Sequence, residues 1–199
     1  MAGLTILSVA YPFAALDVDS SGGAEQVLSI LDEALVQSGH RSIVVAREDS
    51  LVHGELAPIP CQSEPLDAAA IGRAHAAIQC TVAKVLSREH VDVIHVHGLD
   101  FDRYFPPEGA PLLATLHLPP SWYSREALAP TRPQPYLACV SEAQRATLPP
   151  WASEAAVVEN GIHVDRFTVA NERGDYCLML ARLCPEKGIH EALAAATQA

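Results

Sequence analysis

This 199-residue sequence predicts a doubly wound α/β fold, with a parallel sheet covered by helices on both faces. Three observations point to it. Short runs such as LTILSVA, SIVVA and VDVIHVHG are apolar almost throughout rather than alternating, as strands buried on both faces are. Longer segments with helical spacing separate these runs. The composition, 49% hydrophobic and 19% charged, suits a chain that buries a sizeable core.

Taken in order, LTILSVA is the first buried strand. Residues 24–38 form a helix in which Val27, Leu28, Leu31 and Leu35 share one face, and Gly39 ends it. SIVVA is the second strand, and the short apolar LAPIP that follows reads as part of a loop. An Ala-rich helix is expected over about 66–89. VDVIHVHG, PLLATLH and PYLACVS then supply three more strands. The stretch VVENGIHVDRFTVANERGD is polar, and its Asn160-Gly161 pair marks a turn, so the domain junction is placed there. Beyond it YCLMLARL reads as a further buried strand. PEKGIHEALAAATQ reads as a further helix with Pro185 in its first turn. The resulting division is 1–160 as a first domain, 161–174 as a linker and 175–199 as the start of a truncated second domain.

Composition excludes several classes of function. A formal net charge of −11 is unsuited to nucleic acid or an anionic membrane, which require clustered Lys and Arg. No apolar run reaches the length of a membrane span. The opening MAGLTILSVAYPF lacks a basic flank and reads as a strand rather than a signal peptide. Five cysteines (Cys61, Cys80, Cys139, Cys177, Cys184) form no Cys-x-x-Cys pair, which suggests reduced, mostly buried thiols of a cytoplasmic protein. An unfinished second domain would expose apolar surface, so pairing into a homo-oligomer is open.

In an open parallel sheet, ligands sit beyond the carboxyl ends of the strands. Gly22 and Gly23 precede the first helix, where free backbone N–H groups can face an anion. The loop before them carries Asp17 and Asp19, placed to shape a pocket wall. No G-x-G-x-x-G follows the first strand, which argues against a nicotinamide enzyme. His95 and His97 share one side of their strand; His95 reads as a hydrogen-bonded core residue and His97 as a pocket-lining one, with Asp100 just beyond. His117 ends the next strand, in ATLHLPPSWY, and can donate to a ligand hydroxyl or phosphate near neutral pH. Ser141 reads as a helix cap. Arg182 and Lys187, five positions apart beside a helix start, suit a diphosphate.

The stretches GGAEQVLSILDEALVQSGH, VDVIHVHG, PLLATLHLPP, CVSEAQR, VVENGIHVDRF and ARLCPEKGIHEAL together resemble the family 4 glycosyltransferases of the GT-B fold. The resemblance implies two Rossmann-like domains, the first binding an acceptor and the second a nucleotide-diphosphate sugar such as UDP-glucose. It implies hexose transfer with retention and without a metal or other cofactor. Gly22 and Gly23 would then face the donor phosphates, and His117 would act catalytically at a hydroxyl of the donor sugar. Arg182 and Lys187 would grip the diphosphate, and Asn160 and Gly161 would lie in the interdomain crossover. Asp17, Asp19, His97 and Asp100 would belong to the acceptor pocket. The departing phosphate would take the proton of the acceptor. The family's two donor-binding glutamates, eight positions apart, fall beyond Ala199, so these 199 residues alone are expected to be inactive. The opening ILSVAYPF with GGAEQVLSILD also resembles sequences labelled pteridine (tetrahydrobiopterin) glucosyltransferases. Two other readings stand beside this one: a non-catalytic binding or regulatory domain of the same fold, and a metal-dependent hydrolase using His95, His97 and His117.

Overall fold

Among the residues described by the computed structural model (3–17, 20, 22–62, 65–106, 108–132, 135–168 and 174–198), seven parallel strands form one sheet. They are β1 (Thr5–Val9), β2 (Arg41–Arg47), β3 (Glu55–Ile59), β4 (Val93–Val96), β5 (Leu112–Leu116), β6 (Pro135–Cys139) and β7 (Ala155–Val157). The spatial order is β3-β2-β1-β4-β5-β6-β7. In the centre Leu7 lies between Ile43 of β2 and Ile94 of β4. The chain therefore runs outwards from β1 in one direction, then returns and runs outwards in the other. The reversal opens a crevice at the carboxyl ends of β1 and β4.

Crossover handedness distributes the helices. Helix α1 (Gly23–Gln37) carries the chain from β1 to β2, and α2 (Ala68–Arg88) carries it back from β3 to β4. Right-handed connections in opposite directions place them on opposite faces. Alternation along the strands then yields two cores. Ile43 and Val45 pack with Leu7, Val9, Ile94 and Val96 against Ile78 and Val82 of α2. Val44 and Ala46 pack with Leu28 of α1 in a smaller cluster. Helix α2 buries Ala70, Ala74, Ile78 and Val82, one residue per turn. Its start is capped by Asp67, whose carboxylate accepts from the Ala70 amide at 2.7 Å. Complete burial of Ile78 or Val82 contributes about 1.5–3 kcal/mol each.

Helix α1 differs from the sequence-based expectation. Its fully buried stripe is Glu25, Leu28, Ser29 and Asp32. Asp32 Oδ2 accepts from the amides of His53 at 2.6 Å and Gly54 at 3.2 Å, which ties the helix to the loop before β3. Val27, Leu31 and Leu35 are only partly covered. With Ile6, Val93 and Leu113 of the sheet they line an apolar trough of about 450 Å³. The connections after β4 lie on the α2 side by the same handedness argument, through α3 (Arg125–Leu128) between β5 and β6 and α4 (Glu142–Arg145) between β6 and β7.

Other expectations are corrected. LAPIP belongs to edge strand β3; Pro58 is tolerated there because an edge strand need not donate on both sides. Ala155–Val157 adds the short edge strand β7 at the start of the stretch read as polar. Of the five cysteines only Cys139 is buried; Cys61, Cys80 and Cys177 are exposed and Cys184 is intermediate. The reason is that Cys80 stands on the outer side of α2, while Cys139 points from β6 into the main core.

The chain divides into two compact units, Met1–Ile162 and His163–Ala199. The second contains 3-10 turns at Val164–Arg166 and Pro185–Lys187 and helix α5 (Ile189–Ala196), none of which buries a residue. The strand expected in YCLMLARL does not form; Leu180 and Leu183 are 93% and 91% exposed. A strand needs a neighbour for its N–H and C=O groups, and this unit holds no other strand among the described residues. No helix among the described residues is long and apolar enough to cross a membrane.

Candidate active site

Strands β4 and β5 pair so that His95 lies opposite Leu113. Their alternate residues therefore stand side by side on the α1 face as two short ladders. His95 Nε2 lies 2.7 Å from Thr115 Oγ1, and one step further His97 Nδ1 lies 2.9 Å from His117 Nε2. The rings of His95 and His97 are 4.0 Å apart, and those of His97 and His117 are 5.2 Å apart and stacked. His95 is thus the hydrogen-bonded core residue expected of it. His97, expected to line a pocket, stands on the wall of the apolar trough and is almost completely buried beside His117. Its neighbour across the sheet, rather than its place near the strand end, decides this.

Burial keeps all three rings neutral. It lowers the pKa of His117 to about 4. It does the same to His95, aided by the charge of His117, and pushes His97 well below the ordinary value. Two residues hold the backbone that carries His117. The amides of His117 and Leu118 donate to the Tyr123 hydroxyl at 2.9 and 3.2 Å. Gln144 Nε2 donates to the carbonyls of Leu116 and Leu118, both at 2.8 Å, while its Oε1 accepts from Val140. Ser141 caps α4, accepting from the Gln144 amide, and so places this glutamine. Neither Tyr123 nor Gln144 was singled out by the sequence reading. The aromatic in SWY and the glutamine in SEAQR were the available signals.

A second cluster centres on Asp100. His75 Nε2 lies 2.6 Å from Asp100 Oδ2, and the Tyr104 hydroxyl donates to Oδ1 at 3.2 Å. Tyr11 has a raised pKa, first from burial and then from the charges of Asp100 and Glu25, so these groups converge near the ends of β1 and β4. A Cβ at Gly98 would stand 2.0 Å from the Tyr104 hydroxyl, so a side chain there would displace Tyr104 from Asp100. His75 could not be read from sequence; it is a lone histidine in an Ala-rich helix, 25 positions before its partner.

The expected anion site at Gly22 and Gly23 is more crowded than glycine spacing implies. Gly22 is the N-cap of α1 and Gly23 its first residue. A Cβ on Gly22 would meet Glu25 Oε2 at 1.8 Å, so the Glu25 carboxylate folds back over the helix start. That carboxylate already complements the positive helix end. Beside it lies a cleft of about 410 Å³, lined by Phe13, Ala14, Ala15, Asp17, Ser20, Gly22 and Glu25. Asp17 therefore reaches a pocket wall; Asp19 lies outside the described residues. Asn160 and Gly161 lie at the end of the first unit and line the apolar trough.

In the second unit Arg182 and Lys187 are exposed, with Glu186 between them in the chain. The Glu186 carboxyl is held below its usual range by its own backbone amide, then by Cys184, and further by the charges of Arg182 and Lys187. Both cations thus act on one point in space. Among the described residues no three His, Cys, Asp or Glu side chains are placed to hold a metal ion. His97 and His117 direct one ring nitrogen each at the other.

The family model of Glycosyltransferase Family 4 matches residues 21–166. The chain belongs to Glycosyltransferase Family 4. None of the curated proteins compared with it matches the chain. In this family 4 glycosyltransferase the matched region begins just before α1 and ends after β7. It contains the histidine ladder and His75, Asp100 and Tyr104 of the second cluster.

Proposed function

We propose that this family 4 glycosyltransferase transfers a hexose from a nucleotide-diphosphate sugar, UDP-glucose or a close analogue, to a small acceptor with retention of configuration. The observation that supports this most is the placement of His117. It stands at the carboxyl end of β5, near the strand-order reversal, neutral and with its backbone held by Tyr123. A neutral imidazole can donate a hydrogen bond to a sugar hydroxyl without placing a full charge beside the reacting carbon. The acceptor hydroxyl oxygen forms the new bond to the anomeric carbon as the bond to the donor phosphate breaks. The acceptor proton passes to the departing phosphate oxygen on the same face.

Asp100, oriented by His75 and Tyr104, would accept from the acceptor hydroxyl groups, with Asp17 on the wall of the neighbouring cleft. Gly22 and Gly23 would meet donor phosphate only if the Glu25 carboxylate swings aside. Taken by itself, the second unit offers Arg182 and Lys187 to a diphosphate. The reaction as proposed needs no metal or other cofactor.

The test supplies the gene product that carries this chain with UDP-, ADP- and GDP-hexoses and a panel of small hydroxylated acceptors. Products are read by mass spectrometry, and the anomeric configuration by NMR. An α-linked product from an α-linked donor is expected. A β-linked product would overturn retention, and no transfer from any donor would overturn the assignment. His117→Ala should lower kcat about 100-fold, the scale of losing one donor at the reacting centre.

A further inference from the structure

The bond between His97 and His117 holds more information than its length. Two neutral imidazoles 2.9 Å apart must divide the roles, one nitrogen donating and the other accepting. If His97 accepted at Nδ1, its hydrogen would sit on Nε2. That atom is buried and makes no hydrogen bond among the described residues. A buried N–H with no acceptor is the more costly defect, whereas a buried lone pair is tolerated more readily. His97 therefore carries its hydrogen on Nδ1.

We infer that His97 is a positioning residue for His117: its Nδ1–H donates to His117 Nε2, and His117 is thereby fixed as the tautomer with hydrogen on Nδ1, presented as a donor to a ligand oxygen. The surroundings agree. His95 lies against His97 but uses its own Nε2 on Thr115. His117 Nδ1 bonds to no described residue, and the His117 side chain is half-buried rather than enclosed. Burial of the pair disfavours the imidazolium form that would blur the assignment near pH 7. With its main chain held by Tyr123 and its ring by His97, His117 is restrained from both ends. The catalytic consequence rests on His117 touching the substrate, as proposed above; the tautomer does not.

The experiment is long-range 1H–15N NMR of the imidazole nitrogens in histidine-labelled protein at pH 7.5, with His117 assigned through His117→Gln. In the unaltered protein His117 should show a protonated Nδ1 and an unprotonated Nε2. His97→Asn, whose amide N–H falls close to the former Nδ1–H, should preserve that signature. His97→Leu should return His117 to the Nε2–H form that free histidine prefers. A protonated Nε2 in the unaltered protein, or a His117 signature indifferent to His97→Leu, would overturn the inference. In transfer assays His97→Leu should lower kcat at least about ten-fold with KM little changed, and His97→Asn should restore most of it. Equal loss in both variants would overturn the positioning role. The spectrum requires no turnover, so an absence of transfer in the unaltered protein would count against the proposed function alone.

Discussion

Three imidazoles in a row, His95, His97 and His117, are neutral in the folded protein because burial penalises their charged forms. Unfolding releases them to an ordinary value of 6.5, while folded His95 and His117 take up protons only near 4. Between those values the unfolded chain binds more protons, so stability falls as the pH drops from about 6.5 towards 4. Each such proton weakens the fold by about 1.4 kcal/mol per pH unit in that window. Urea midpoints measured at pH 7.5, 6 and 5 should decline in that order at constant slope against urea; a flat midpoint would mean that the rings are charged when folded. At this scale the sequence was partly legible. A histidine closing an apolar run marks the end of a strand, and His117 directly follows β5. The partner of His97 depends on which strand lies alongside, and that of Asp100 on a helix residue far away in sequence. Pairings of that kind have no local signature.

Elements were read best where periodicity and burial coincide. Helix α2 is such a case, with its apolar stripe facing the core and Asp67 at its start. Asp67→Ala should destabilise the protein by about 1 kcal/mol through loss of the cap, and Asp67→Ser should recover most of it; thermal or urea unfolding reads both. Helix α1 was legible as a helix but not in its orientation. Its apolar positions suggested the buried face, yet Asp32 turns a partly polar stripe inwards because two backbone amides wait there. Edge strands β3 and β7 were hidden by a proline and by brevity, since an edge needs less apolar sequence than a central strand. In YCLMLARL the composition suits a strand, but composition supplies no partner.

At the scale of the whole molecule, the buried apolar residues among those described all fall between Ile6 and Ala155. The unit His163–Ala199 leaves Leu178, Leu180 and Leu183 in solvent. Brief trypsin treatment should therefore cut at Arg182 and Lys187, both exposed, before it reaches the sheet. Cleavage within the sheet before cleavage at those two positions would overturn this expectation. The doubly wound class itself was the most legible feature of all, because five of the seven strands announce themselves as short, mostly apolar runs.

The position of β1 has a consequence for how the protein is made. One of its neighbours, β2, follows soon after it, but the other, β4, is separated from β2 by about 45 residues. At roughly 5–20 residues per second, a ribosome takes roughly 2–9 s to bridge that gap. Throughout it one side of Thr5–Val9 offers unpaired backbone groups, and for the first part of it α2 has not been made. The nascent protein must pass through an interval with a bare central edge. Chaperone dependence and aggregation during synthesis should be governed by that delay more than by the stability of the finished fold.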